Sequence, residues 1–245
     1  MIASGLHGKN GLDPETSLQL VKTYILPISL YGIEIILSGK TLIQQLERYQ
    51  KKRLRQILTL PQNTPDCNVY ILTGFISIEK QIEKKTLIFF NNICNQHEES
   101  IEKRLARRQL STKKQQQNSN SWFMNLKILL LKYNQDDPLD LLDNPRKKEE
   151  WKLNVIKQIN QSWKEHILHS VKLYKNLQHI ATDKYRPGKI HPLLSISCNS
   201  SRDVNRIPTK LRTKLELTYF RPTEHLLKME KIVVYVYYVE VMMKQ

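Results

Sequence analysis

Histidines with the spacing of metal ligands occur at two places in the chain. His166 and His169 are three residues apart in a helical pattern, so one helix face can bring both imidazoles to one ion. They do not belong to a full His-Glu-x-x-His pattern, and no cysteine lies near enough in the sequence to complete a ligand set. His97 precedes Glu98 and Glu99, but no histidine follows where a zinc protease needs one. We therefore expect no metal and no cofactor.

Adjacent acidic residues are the other candidates for catalysis. Polymerases hold magnesium ions with paired aspartates, and Asp136 and Asp137 are adjacent. They precede Pro138 in a polar turn and lack flanking apolar strands, so we expect helix capping instead. The chain has neither a Gly-x-Ser-x-Gly element nor a glycine loop that cradles phosphate. Because no catalytic set converges, whether the chain belongs to an enzyme stays open, and we expect it to be inactive alone.

The cysteines and the charge balance narrow the class of protein. Cys67, Cys94 and Cys198 lie far apart without a Cys-x-x-Cys pair, which predicts buried or free thiols. Lysine and arginine total 39 against 23 acidic residues, a formal charge of +16. This excess favours a polyanionic partner, since each neutralised phosphate releases counterions. No apolar run approaches the roughly 20 residues that span a bilayer, so we expect an intracellular protein without a membrane partner.

Two basic segments are candidates for contact with nucleic acid. A helix predicted from Thr41 to Leu60 places apolar side chains on one face and basic ones on the other. The second segment is a polar stretch over residues 96–121. The candidate phosphate contacts are Arg48, Lys51, Lys52 and Arg55 in the first segment, and Lys103, Arg104, Arg107, Arg108, Lys113 and Lys114 in the second. A basic face that is merely solvated is the alternative reading for both segments.

Helical periodicity and only seven glycines predict a mainly α fold. A first helix is expected to be capped by Asp13 and to be kinked or broken at Pro27. Gly32 indicates either a close helix contact or a local break. Further predictions are a cap at Asp66, a short helix ending near Gly74, a helix from Ile78 to Asn95, and a long helix from Lys147 to Tyr174.

The first hundred residues also resemble a known family. The stretches GLHGKNGLDPETSLQLVKTYILPISLYGIEII, LIQQLERYQKKRLRQILTLP and VYILTGFISIEKQI are similar to the segment after the palm of non-LTR retrotransposon reverse transcriptases of animals. Matching positions are His7, Gly8, Asn10, Gly11, Leu12, Pro14, Pro27, Leu30, Tyr31, Gly32, Glu34, Leu60, Pro61, Tyr70, Leu72, Gly74 and Glu79. The resemblance implies a thumb and helical connector that grip an RNA or DNA template-primer. The catalytic aspartates of such an enzyme lie in the palm, which would be upstream or separate.

Composition and periodicity divide the chain, and the resemblance adds a thumb-like character for the first segment and, for a functional retrotransposon product, a nuclear location. Residues 1–95 would be a thumb-like helical segment, 96–121 a basic polar linker, 122–180 a second helical segment, 181–212 an irregular connector and 213–245 a tail. The tail departs from the family, which suggests a truncated copy with a frameshift near Arg212. The stretch LELTYFRPTEHLL can be encoded by many synonymous codons. If these are chosen freely and translation starts from the third base of each codon, the same DNA can encode GTYIFQTNRASI, which resembles the family's continuation. A basic helical protein-interaction module without a nucleic-acid role is the alternative function.

Overall fold

A computed structural model describes residues 12–35, 39–111, 121–173, 182–192 and 194. Helices make up most of these residues, and no strand occurs among them, so the predicted mainly α class is confirmed. No helix in this part of the chain combines the length and the apolar character that crossing a bilayer requires. The predicted tail over residues 213–245 lies outside the described residues.

The helices follow one another with short connections. In chain order they are α1 (Pro14–Leu20), a π-helical turn (Val21–Ile25), α2 (Leu26–Ser29), α3 (Lys40–Ile57), α4 (Asp66–Thr73), α5 (Ile78–Cys94), α6 (Ile101–Ser111), α7 (Trp122–Lys132), α8 (Pro138–Asp143), α9 (Lys148–Leu173) and a 3-10 turn (Thr182–Lys184). The predicted helices around residues 41–60, 78–95 and 147–174 correspond to α3, α5 and α9.

The first helix begins as predicted and passes Pro27 without a break. The Asp13 carboxylate accepts a hydrogen bond from the Thr16 amide at 2.8 Å, which caps α1. Just before Pro27 the helix widens into the π turn, and it then continues to Ser29. Gly32 has φ +70°, and an added Cβ there would meet no atom within 4 Å. Of its two predicted roles, the structure therefore shows the local break.

Two hydrophobic cores are joined by α9. Trp163, Ile167 and Val171 on its second half pack into a core with α1, α3 and α4. Trp151 and Val155 on its first half pack into a core with α5, α6, α7 and α8. The predicted second helical segment is therefore packed against the first, because α9 and α5 lie side by side.

Residues 96–121 differ from the polar linker that we predicted. Residues 101–111 form α6, whose Ala106 and Leu110 are buried in the second core. Lys103 is only 3% exposed and donates to Glu98 at 2.5 Å. The sequence did not predict this helix because it contains few large apolar residues here. Ala106, Leu110 and the aliphatic part of Lys103 are sufficient to pack it.

A buried ionic cluster joins α5 to α7. Lys80 lies 3.1 Å from Glu83 and donates to the Tyr133 hydroxyl at 2.7 Å. Lys132 contacts the other oxygen of Glu83 at 2.5 Å, and the Tyr133 hydroxyl also donates to Glu83. Burial lowers the pKa of Lys80, although the neighbouring Glu83 opposes that shift. Removing Glu83 would leave a buried ammonium without its counter-charge.

The segment at residues 182–192 docks on the end of α4. The Gly188 amide donates a hydrogen bond to the Gly74 carbonyl at 2.7 Å, and the His191 amide donates one to the Leu72 carbonyl at 3.0 Å. Gly74 ends α4 with φ +67°, as the sequence predicted for that helix end. A Cβ on Gly74 would lie 1.9 Å from the Lys189 carbonyl oxygen, so only glycine allows this close approach.

Candidate nucleic-acid interface

Helix α3 presents part of the predicted basic stripe to solvent. Leu54 and Ile57 are buried in the first core, and this fixes the opposite face outward. Arg48 and Lys52 lie exposed on that helix, and no hydrogen bond or ion pair to either is found among the described residues. They are therefore available to neutralise phosphates of a passing strand.

Lys51 and Arg55 are held by Asp66 at the start of α4. Lys51 lies 2.7 Å from one carboxylate oxygen of Asp66, and Arg55 contacts the other. Arg55 also donates to the Thr64 carbonyl at 2.8 Å. Asp66 is thus in the first turn and not the helix cap that we predicted, since Pro65 occupies the cap position. Burial alone would raise the pKa of Asp66, but the hydrogen bonds from Lys51 and Arg55 lower it below its usual value.

A groove of about 500 Å³ runs beside this stripe, between α3, α4 and α9. Arg48 and Lys51 line one side of it, and His166 lines the other. The His166 ring stacks on Trp163 with centroids 5.3 Å apart and planes 23° apart. Trp163 in turn meets Tyr70 edge-on at 5.1 Å. Cations and an exposed ring therefore border one groove, a combination that suits a sugar-phosphate strand and its bases.

Three acidic residues line this groove, Glu47, Asp66 and the exposed Glu79, and of these Glu47 is tied to the fold. Glu47 accepts a hydrogen bond from the Tyr70 hydroxyl and one from the Ile78 amide at 2.7 Å. Burial raises the pKa of Glu47, although both hydrogen bonds oppose that shift. Burial and the adjacent Glu47 raise the pKa of Tyr70 far above its usual value, so its hydroxyl keeps its proton. Glu47 thus fixes the floor of the groove by joining α3 to α4 and α5.

Of the four described cations in the second basic segment, Lys103 is buried and Arg104, Arg107 and Arg108 are exposed. Lys103 is committed to Glu98, and Arg107 pairs with Glu98 at 3.1 Å and with Asp143 at 3.0 Å. Arg104 and Arg108 are exposed on α6. These arginines line a recess that shares no residue with the groove beside α3. Lys113 and Lys114 lie outside the described residues.

The sequence candidates for metal or catalytic chemistry do not converge. His166 and His169 are both exposed, and the His166 ring stacks on Trp163. Asp137 caps α8 through a 2.9 Å hydrogen bond from the Leu139 amide, as predicted, while Asp136 pairs with Arg146. Among the described residues no group of three or more histidines, cysteines or acids is close enough to hold a metal ion.

The two cysteines within the described part are buried, and Cys198 lies outside it. Burial raises the pKa of the Cys94 thiol to about 12, with a smaller opposing effect of Lys103. Burial also raises the pKa of Cys67. Thiols protonated at neutral pH are poor nucleophiles, which agrees with a packing role for both residues.

Sequence reasoning missed the aromatic side of the groove. Trp163 and His166 are three residues apart, so one helix face must carry both rings, and this spacing was the available signal. It also missed Arg53, whose guanidinium lies 4.8 Å from the centre of the exposed Tyr49 ring. That pair has the i, i+4 spacing of helix neighbours and adds a cation and a ring to α3.

No protein-family model, curated protein or solved structure gives a significant match to this chain. The residues and geometry of the chain itself therefore carry the functional argument.

Proposed function

We propose that this chain is a fragment of a retrotransposon RNA-directed DNA polymerase, in which it grips template-primer nucleic acid without sequence selectivity and lacks the catalytic palm. The observation that carries the proposal is the exposed pair Arg48 and Lys52 on α3, beside a groove bordered by the His166 ring. The formal charge of +16 supports a polyanionic partner. The likeness of the first hundred residues to the segment after a reverse transcriptase palm supports the choice of template-primer over other polyanions.

The arrangement explains how such a fragment would bind without reading sequence. Arginine and lysine contact phosphates at any base composition, and an exposed ring accepts any base by stacking. Because Lys51 and Arg55 already share Asp66, the main contribution of α3 is expected from Arg48 and Lys52. Behind the groove, α4 packs against α9 through Tyr70 and Trp163.

Charge reversal tests the proposal. The full chain is titrated into a fluorescein-labelled primer-template duplex at about 0.1 M salt, as wild type and as Arg48→Glu with Lys52→Glu. Loss of two phosphate contacts lowers the affinity for the duplex by at least about 60-fold, because each contact adds about 0.9 to log K at that salt concentration. Lys147→Glu with Lys157→Glu changes the net charge equally at exposed positions that do not line this groove, and its loss should be much smaller. Equal losses in both variants would reject α3 as the binding face.

A protein-interaction module is the second candidate function, and one observation favours it. Four large apolar side chains between residues 24 and 35 are strongly exposed, from 60% to 88%: Tyr24, Ile28, Tyr31 and Ile35. Apolar patches of this kind often mark contact with another protein. For a module without a nucleic-acid role, reversing Arg48 and Lys52 leaves duplex affinity unchanged, so the same titration separates the two functions.

A further inference from the structure

A second positively charged cavity lies away from the α3 groove. Its volume is about 360 Å³, and it is bounded by the π turn, α2, α5, α9 and the turn at Gly188. Lys22 from the π turn and Lys84 and Lys85 from α5 line it. No aspartate or glutamate is among the described residues that line this cavity, and none of its lining residues also lines the α3 groove.

Two of the three lysines are held in place by backbone carbonyls. Lys22 donates to the Gly188 carbonyl at 2.5 Å, which connects the π turn to the segment docked on α4. Lys85 donates to the Leu30 carbonyl at 2.5 Å and lies 3.6 Å from the Glu34 carboxylate. Each of these ammonium groups keeps further N–H donors, since a lysine carries three. Both charges are therefore positioned before any ligand arrives.

Lys84 is the third lysine that lines the cavity, and it is partly buried. Within the described part of the chain no hydrogen bond or ion pair to its ammonium group is found. Burial lowers the pKa of Lys84, and repulsion from Lys22, Lys85 and Lys152 lowers it further. Lys22, Lys84 and Lys85 together form a lysine cluster that lines the cavity.

Such a cluster is costly unless an anion compensates it. Like charges repel most strongly where burial reduces screening by water, and an ammonium without a partner loses its hydration. A multivalent oxyanion removes both costs, because its oxygens can accept from several ammonium groups at once. The cavity is large enough for a phosphate group, and Asn160 lines it with a further amide.

We propose that the cavity at the lysine cluster is a binding site for a phosphate group. Lys84 donates to the bound phosphate from inside the cavity, and Lys22 and Lys85 flank it. Lys22 is exposed, so the site is open to solvent. The phosphate can belong to a free phosphate compound or to the backbone of a nucleic acid. The site does not depend on the proposed function, because it shares no lining residue with the α3 groove.

Calorimetry on the full chain tests the site, with inorganic phosphate and tripolyphosphate as probes. The variant is Lys84→Met, which keeps the length of the side chain and removes its charge. The matched control is Lys157→Met, which removes an exposed lysine of α9 that does not line the cavity. We expect saturable binding by wild type and by the control, and at least tenfold weaker binding by Lys84→Met. Absence of saturable binding, or equal binding by Lys84→Met, overturns the proposal.

The titration of Lys84 gives a readout that a purely structural lysine would not show. In the chain labelled with ¹³C at the lysine ε carbons, the resonance lost in Lys84→Met identifies Lys84. Saturating tripolyphosphate should raise the pKa of Lys84, because the bound anion favours the charged form. An unchanged pKa at a probe concentration that saturates wild type contradicts the assignment of the site to Lys84.

Competition distinguishes the two sources of phosphate. If the site takes a nucleic-acid backbone, a duplex without terminal phosphates displaces tripolyphosphate from wild type. If the site takes a free phosphate compound, the duplex and tripolyphosphate bind together. With either result, Lys84→Met must also weaken the binding of tripolyphosphate. Failure of the proposed function would show in Arg48→Glu with Lys52→Glu, whereas failure of this site shows in Lys84→Met.

Discussion

Asp66 limits how strongly α3 can bind nucleic acid, and replacing it should strengthen binding. One carboxylate holds two cations: Lys51 at 2.7 Å and, through its other oxygen, Arg55. Asp66→Asn keeps the shape of the side chain and removes the negative charge. Arg55 retains its 2.8 Å bond to the Thr64 carbonyl, so we expect Lys51 to be released more completely than Arg55.

The size of the effect follows from counterion release. Each new phosphate contact on duplex DNA steepens the slope of log K against log salt by about 0.9 and adds about 0.9 to log K at 0.1 M salt. Release of Lys51 alone therefore predicts about eightfold tighter binding in Asp66→Asn. Release of Arg55 as well would double the change in slope, to about 1.8.

Fluorescence anisotropy with a labelled duplex between about 0.05 and 0.2 M salt measures both quantities. Asp183→Asn is the matched control, because it removes one charge from an exposed residue in the 3-10 turn and not from α3. If both variants change affinity and slope equally, the gain reflects net charge only. That result, or no gain in Asp66→Asn, would refute the idea that Asp66 restrains a phosphate-binding face.

Three further predictions concern the fold that carries these sites. Glu83→Gln should lower the free energy of unfolding by about 3–5 kcal/mol in a urea titration, because it leaves a buried ammonium unpaired. Lys132→Met removes a more exposed partner of Glu83, so it should lower the free energy of unfolding clearly less. Equal costs would show that burial does not govern this cluster. Gly74→Ala should detach the segment that contains Lys189, since the added Cβ would lie 1.9 Å from the carbonyl oxygen of Lys189. Limited proteolysis should then cleave the variant within residues 182–192. If the variant resists proteolysis as well as wild type does, the docking is contradicted. Lys84→Met should be more stable than wild type at pH 7 in phosphate-free buffer, because the wild-type fold holds a charged ammonium whose pKa is lowered. This difference in stability should shrink as the pH rises from the folded pKa of Lys84 towards its unfolded value of about 10.4, since wild type then loses the unfavourable proton. An advantage that is constant with pH would point to a packing effect.

The helices and their core faces could be predicted well where apolar periodicity was strong. The long helix containing Trp151 and Trp163 repeats its apolar positions over many turns, and α9 has nearly the predicted bounds. The end of α4 at Gly74 was predictable because only glycine readily adopts the left-handed conformation there. Helix α6 was not, since its packing depends on Ala106, Leu110 and the stem of a lysine.

The candidate sites were less predictable, because side-chain partners come from distant parts of the chain. Periodicity placed Lys51 and Arg55 on a basic face, but nothing local to α3 indicates that Asp66 would neutralise them. The lysine cluster joins Lys22 of the π turn to Lys84 and Lys85 of α5, so no short sequence window contains it. Helix pattern identifies which residues share a face, whereas tertiary packing decides which of their charges remain available.

The salt dependence of duplex binding in a charge-neutral variant tests the central claim most directly. Arg48→Gln with Lys52→Gln removes the two exposed cations of α3 without adding negative charge. If they contact phosphates, the slope of log K against log salt becomes shallower by about 1.8 relative to wild type. A slope identical to that of wild type would contradict the claim that this face of α3 lies along nucleic acid.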